Sequence, residues 1–293
     1  MEKIKKYRTL IILAIVAITL IVLSLVFTYS DNILNLSDAK PLNQDWVESE
    51  TNQVFDLPYD LEVDAKEAHS FSTTLSDDFK HPQHLLIRGS LQDVIVKLDG
   101  DIIYTHDLRN ESKSLPYASL WHVVSIPEDS NNLELSITLH SPFKSMSGRI
   151  NTIHYGSIND LNVHIITNHG GGLILGVVTL FIGLLFTVIS LFVDKMKNND
   201  VVYIGLFGIV VSLWMISESK TLQFLINDHY IHASLSYYML AILPIPILVY
   251  VKRHVLPKYN KMFSFIVAYF FMLFSAIVIL QATGLVAFFV SIV

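Results

Sequence analysis

The chain has 293 residues, of which 52% are apolar and only 16% charged, and its net charge is −6. A soluble domain carries about 25% charged residues, so part of this chain is built for non-aqueous surroundings. Cysteine is absent, which excludes a disulfide scaffold, a thiolate metal site and a cysteine nucleophile. The acidic balance gives no footing for nucleic-acid binding.

Five stretches contain no Asp, Glu, Lys or Arg: 9–30, 168–193, 201–217, 230–251 and 262–293. A helix needs about 20 apolar residues to cross a hydrocarbon layer of about 30 Å. In chain order this predicts a cytoplasmic N-terminus over 1–8 and a transmembrane anchor over 9–29. The apolar core of that anchor exceeds the length usual in a cleaved signal peptide. After a hydrophilic insert come a multi-helix membrane domain over 170–293, with spans near 170–193, 201–217, 230–251 and 262–282, and an incomplete sixth span. Gln281, Thr283 and Gly284 mark the break before that last piece.

Charge sets the orientation. Residues 29–170 hold 9 Lys+Arg against 21 Asp+Glu, a net of −12. The N-terminus and the loops near 194–200 and 252–261 carry ten basic residues against three acidic ones. Lys and Arg near span ends stay in the cytoplasm. The insert is therefore expected outside a plasma membrane, as residues 30–169, with the N-terminus inside.

The insert, 30–165, reads as short strands. Residues 133–140 alternate apolar and polar positions, the pattern of a half-buried strand. Val94, Val96 and Leu98 form a similar face and lead into Asp99-Gly100, a hairpin signal because both turn positions favour positive φ. Further strands are expected over 70–74, 84–89, 121–126 and 149–155, separated by prolines. The predicted fold class is a mixed membrane protein: an extracytoplasmic antiparallel β-sandwich, jelly-roll-like, plus an α-helical transmembrane bundle.

Arg88, Tyr104, Trp121 and His122 are large polar-capable residues at strand positions. They are the candidate ligand-binding residues, with a stacking role for Trp121 weighed against a place in the core. Nine of the twelve histidines fall within 69–169. His81 and His84 have short spacing, but nothing completes a metal site, and no metal or cofactor is expected. Histidine titrates near neutral pH, so pH sensing is a further option. In the spans, Gly172 and Gly176 form a small-xxx-small pair suited to helix packing or homodimerisation. Pro244 and Pro246 predict a kink inside the third of the membrane-domain spans.

Residues 203–207, 217–224 and Leu243-Pro244-Ile245-Pro246, with Leu98-Asp99-Gly100, Trp121-His122-Val123 and Ser141-Pro142-Phe143 upstream, resemble bacterial membrane sensors. The likeness is to the seven-transmembrane receptors with diverse intracellular signalling modules. In many of these a GGDEF diguanylate cyclase follows the last helix, and in others a histidine kinase. The resemblance implies a receptor coupling an external ligand (a small molecule, glycan or protein) to cytoplasmic output such as cyclic-di-GMP synthesis. No catalytic residue of such an output is found in this sequence. The apolar run up to Val293 adds the expectation that this chain is the sensory part of a longer protein. The alternative is a non-enzymatic surface-binding protein whose helices serve as its anchor in the lipid bilayer.

Overall fold

The computed structural model describes residues 37–107, 118–192, 201–219, 221–224 and 229–283. The predicted anchor over 9–29 and the incomplete sixth span lie outside the described residues. The chain divides into two compact units, one spanning Asn35–Ile166 and the other described from Thr167 onward.

The first unit is β-rich. Its strands are β1 (Lys40–Pro41), β2 (Trp46–Glu48), β3 (Val54–Phe55), β4 (Tyr59–Asp60), β5 (Ala68–Thr74), β6 (Gln83–Arg88), β7 (Asp93–Leu98), β8 (Asp101–His106), β9 (Trp121–Ile126), β10 (Glu134–His140), β11 (Arg149–Ile150) and β12 (His154–Gly156), with a one-turn helix α1 (Lys144–Ser147) before β11. They form a four-stranded sheet, β1-β12-β6-β9, a six-stranded sheet, β3-β2-β5-β10-β7-β8, and the small pair β11-β4. The pairings are nested: β1 with β12, β4 with β11, β5 with β10, β6 with β9 and β7 with β8, all antiparallel.

Alternation explains the layers. Leu135, Ile137 and Leu139 of β10 are buried, while Ser136 and Thr138 face the other way. Successive strand residues point to opposite faces, so one sheet face of apolar residues results. Leu85, Ile87, Val124 and Ile126 from the four-stranded sheet join Phe71, Val94, Val96 and Ile137 from the six-stranded sheet in one core around Trp46. The two sheets thus share a single apolar interior. Asp99 and Gly100 both have positive φ, at 49° and 89°, and close the β7–β8 hairpin as the sequence predicts.

The expected strand over 149–155 is split. Asn151 donates from Nδ2 to the Arg88 carbonyl at 2.8 Å and to Ser90 Oγ at 2.9 Å. Those bonds hold the chain out of register, so β11 pairs with β4 and β12 with β6.

The second unit is helical. Helix α2 (Ile158–Phe192) begins twelve residues before the predicted span; α3 (Val201–Ser217), α4 (His229–Ile242), α5 (Pro244–Tyr250) and α6 (Asn260–Thr283) follow. Among the described residues, three helical segments are long and apolar enough to cross a membrane: Ile158–Leu191, Ser234–Val255 and Pro257–Leu280. Val202–Ser217 is a shorter apolar helix. Phe265, Phe271, Met272 and Ile279 of α6 are exposed, as contact with lipid requires.

Helices α2 and α3 cross closely, at Gly176 of the predicted glycine pair and at Gly183. A Cβ on Gly183 would lie 2.8 Å from Ile209 N, and one on Gly176 would lie 2.7 Å from Ile216 Cγ1. A Cβ on Gly172 would meet nothing within 4 Å. The crossing therefore uses Gly176 and Gly183, seven residues apart and on one helix face, and Gly172 stands outside it. Pro244 is the first residue of α5 and Pro246 is buried in it. The break between α4 and α5 falls at Leu243, where Pro244 has no N–H to continue the ladder. A π-helical turn, Val251–Val255, ends this stretch.

Candidate functional site

The four residues singled out from the sequence lie around one ladder. Strands β6 and β9 pair so that Arg88 stands opposite Trp121, and Ile87 opposite His122. Neighbours on a strand face opposite ways, so the four residues divide into two pairs on the two faces of the sheet.

On the outer face, the Arg88 guanidinium carbon lies 5.0 Å from the Trp121 ring centroid, within cation–π range. Trp121 is 7% exposed. It packs with Leu86 of the same sheet and with Leu161 and Ile165 from the first turns of α2, in a cluster separate from the main core. Both readings of Trp121 meet here: it is buried, and its ring also carries a cation.

On the inner face, Tyr104 reaches across from β8 of the facing sheet. Its Oη and His122 Nδ1 are hydrogen-bonded at 2.9 Å, and the rings meet edge-on with centroids 5.6 Å apart. Burial pushes the Tyr104 phenol above its ordinary value, so the O–H is retained. Which of the two atoms donates follows from the His122 tautomer. His122 is buried and His106 sits 5.1 Å from it, ring to ring.

His106 extends the arrangement. It stands opposite Val94, which is opposite Leu139, which is opposite His69. This row crosses the six-stranded sheet on its inner face and places an imidazole near each end. His69 is 4% exposed and both its ring nitrogens are buried without a hydrogen-bond partner among the described residues. Burial pulls its pKa down to about 4, partly offset by the Glu48 carboxylate. His69 is therefore neutral at ordinary pH.

Sequence reasoning missed the residues that hold this end together. Gln92 is almost fully buried and spends its whole amide: Oε1 accepts from Ser90 N at 2.9 Å, while Nε2 donates to the Met146 and Arg149 carbonyls at 2.8 and 2.9 Å. His140 Nδ1 meets Asp93 Oδ2 at 2.9 Å inside the protein. The one available signal was their position at strand ends, where polar residues more often face water. Two further histidines, His154 on β12 and His164 on α2, meet at a tilt of 41° with ring centroids 4.1 Å apart. His81 is exposed and His84 half-buried; among the described residues no group of three or more His, Asp or Glu is placed to hold a metal ion.

No family model matches this chain. No curated protein matches it either. Among solved structures it is similar to two crystal structures of a GH2 β-galacturonidase from Eisenbergiella tayi. The glycerol-bound structure aligns at 14% identity with a TM-score of 0.30, covering 41% of this chain and 24% of that one. The galacturonate-bound structure aligns at 13% identity with a TM-score of 0.31, covering 42% and 25%. The chain thus spans about a quarter of the length of those structures, and a likeness this slight carries no argument about fold or activity.

Proposed function

We propose that this chain is the sensory part of a bacterial membrane receptor. The β unit is a jelly-roll sandwich on the outer side of the plasma membrane, and the helices pass its ligand-bound state to cytoplasmic signalling. Cyclic-di-GMP synthesis is the output that the resemblance implies. The nested strand pairs support the jelly-roll assignment, since a hairpin rolled on itself gives that order. The basic loops at 194–200 and 252–261 support the orientation.

One observation carries the reading. Helix α2 is a single 35-residue element, and about 52 Å of helix at 1.5 Å per residue exceeds what a bilayer needs. Its first turns pack on Leu86 and Trp121 through Leu161 and Ile165, and the same helix continues as an apolar span. A ligand that shifts Arg88 and Trp121 acts directly on the start of that helix. Arg88 and Tyr104, the half-exposed members, are the contact residues in this reading, and the buried Trp121 and His122 position them. The effect needs unequal ligand affinity for two helix arrangements.

The natural absence of cysteine makes the test direct. Single Ser49→Cys and Lys258→Cys variants in intact cells are treated with a membrane-impermeant maleimide. Labelling at 49 and protection at 258 is expected, and the reverse pattern overturns the orientation. For coupling, spin labels on α2 and α3 are compared between the wild-type background and Leu161→Ala in lipid nanodiscs. A changed distance distribution is expected. An unchanged one favours a surface-binding protein with the helices as a passive anchor.

A further inference from the structure

A cleft of about 720 Å³ opens in the β unit, on a side of the core that none of the four candidate residues lines. Volumes of about 300–1,000 Å³ are usual for small-molecule sites. It is lined by the segment from Pro41 to Asp45, by Thr73 and Thr74 at the end of β5, by Ser76 and by Tyr155.

The segment 41–45 is pinned by its backbone. Leu42 N donates to the Ile153 carbonyl at 2.8 Å, and the Leu42 carbonyl accepts from Trp46 Nε1 at 2.9 Å. The Asn43 carbonyl accepts from Leu57 N at 2.7 Å, and Asn43 Oδ1 accepts from Ile153 N at 3.2 Å. Four bonds hold this segment before any ligand arrives, which lowers the ordering cost of binding.

Several polar residues that line the cleft spend no side-chain hydrogen bond on a described residue. Thr73 is 8% exposed, and its hydroxyl makes no hydrogen bond to a described residue. The same holds for the side chains of Gln44, Thr74 and Ser76. The Thr73 hydroxyl oxygen keeps contact with solvent rather than being sealed away unpaired, so it is available to a ligand in the cleft. Tyr155 is different: its hydroxyl is committed to Asp78 Oδ2 at 2.5 Å, so its ring serves as an apolar part of the lining.

From this set we infer that the cleft is a binding site for a neutral polyhydroxylated ligand, a single sugar unit free or at the end of a glycan. The Thr73 and Ser76 hydroxyls and the Gln44 amide offer both donors and acceptors. A sugar ring matches that with alternating hydroxyls at its rim, and it presents C–H faces to Leu42 and Tyr155. The Asp45 carboxylate at the rim accepts hydroxyl donors and repels an anionic sugar. This inference names a ligand class for the unit proposed above as the sensor, yet binding here does not depend on signalling.

The test is saturation-transfer NMR and calorimetry on the full chain in lipid nanodiscs. The probes are glucose, galactose, mannose and N-acetylglucosamine, with glucuronate as the charged comparator. Saturable binding of at least one neutral sugar at millimolar concentrations is expected. Thr73→Val, nearly isosteric, weakens it by about tenfold, and Gln44→Ala weakens it several-fold. Unchanged Trp46 emission in both variants shows that the fold is kept. Absence of saturable binding by all four neutral sugars overturns the inference. So does preference for glucuronate, or binding indifferent to both substitutions. Binding as expected without any change in the α2–α3 spin-label distances keeps the cleft as a sugar site and separates it from the receptor reading, whose ligand contacts lie at Arg88 and Tyr104.

Discussion

The rings of His154 and His164 meet at a tilt of 41° with 4.1 Å between centroids, one on the last strand of the β unit and the other in the second turn of helix α2. His154 Nδ1 is buried without a hydrogen-bond partner among the described residues. Burial, reinforced by the neighbouring imidazole, pulls its pKa from 6.5 down to about 4.

The stability of the β unit should therefore depend on acid. Between pH 6.5 and about 4 the unfolded chain holds a proton on His154 that the folded chain refuses. His69 behaves alike, with its pKa also pulled down to about 4. Stability is fully present above the unfolded value and is lost as pH falls through that window, by up to about 3 kcal/mol for the buried His69 and by less for the partly exposed, solvent-screened His154. Urea unfolding of the full chain at several pH values, followed by Trp46 and Trp121 emission, measures it. His154→Gln should flatten part of the slope, and a wild-type midpoint independent of pH would refute the assignment.

The Tyr104–His122 bond should matter more than its single hydrogen bond suggests. Tyr104→Phe keeps the ring and removes the partner of a buried ring nitrogen. A cost of about 1–3 kcal/mol is expected. Arg88→Ala, which leaves this inner face untouched, should cost less in the same denaturation assay.

Trp121 should control the start of α2. Trp121→Ala opens a cavity under Leu161 and Ile165 and should cost about 3–5 kcal/mol. Hydrogen exchange is the sharper readout. Amides in 158–166 should lose protection before those of β5 and β10, and uniform loss across the β unit would contradict a local role.

Bulk in the membrane helices should separate the glycines. Gly183→Val drives a side chain into the backbone of α3 near Ile209 and should destabilise by about 2 kcal/mol or more. Gly172→Val should be tolerated, because its Cβ position is open. Thermal unfolding in detergent distinguishes the two, and equal losses would place Gly172 in a contact outside the described residues.

Local patterns were legible where one physical requirement dominated. The 133–140 alternation and the Asp99-Gly100 turn each follow from periodicity or φ, and both are found. The split of 149–155 was illegible, because Asn151 is drawn aside by the Arg88 carbonyl, a partner 63 residues away in sequence. Helix α2 was cut too short for a similar reason. Charge marks where a helix can enter lipid, but Leu161 and Ile165 extend the helix over protein instead. The four candidate residues were correctly placed at strand positions. Their division between two sheet faces depends on β6–β9 register, which no local pattern carries.

The nested strand pairs have a consequence for how such a chain can be assembled. Their outermost pair joins Lys40 to Tyr155 and Pro41 to His154, so the polypeptide enters and leaves the β unit through neighbouring strands. A body of over a hundred residues thus presents the footprint of a short loop. It can be excised between residues 39 and 156 and bridged by a few glycines, with little added closure entropy. The same doorway lets a different folded body take its place in the chain with the helical segments that follow left unchanged.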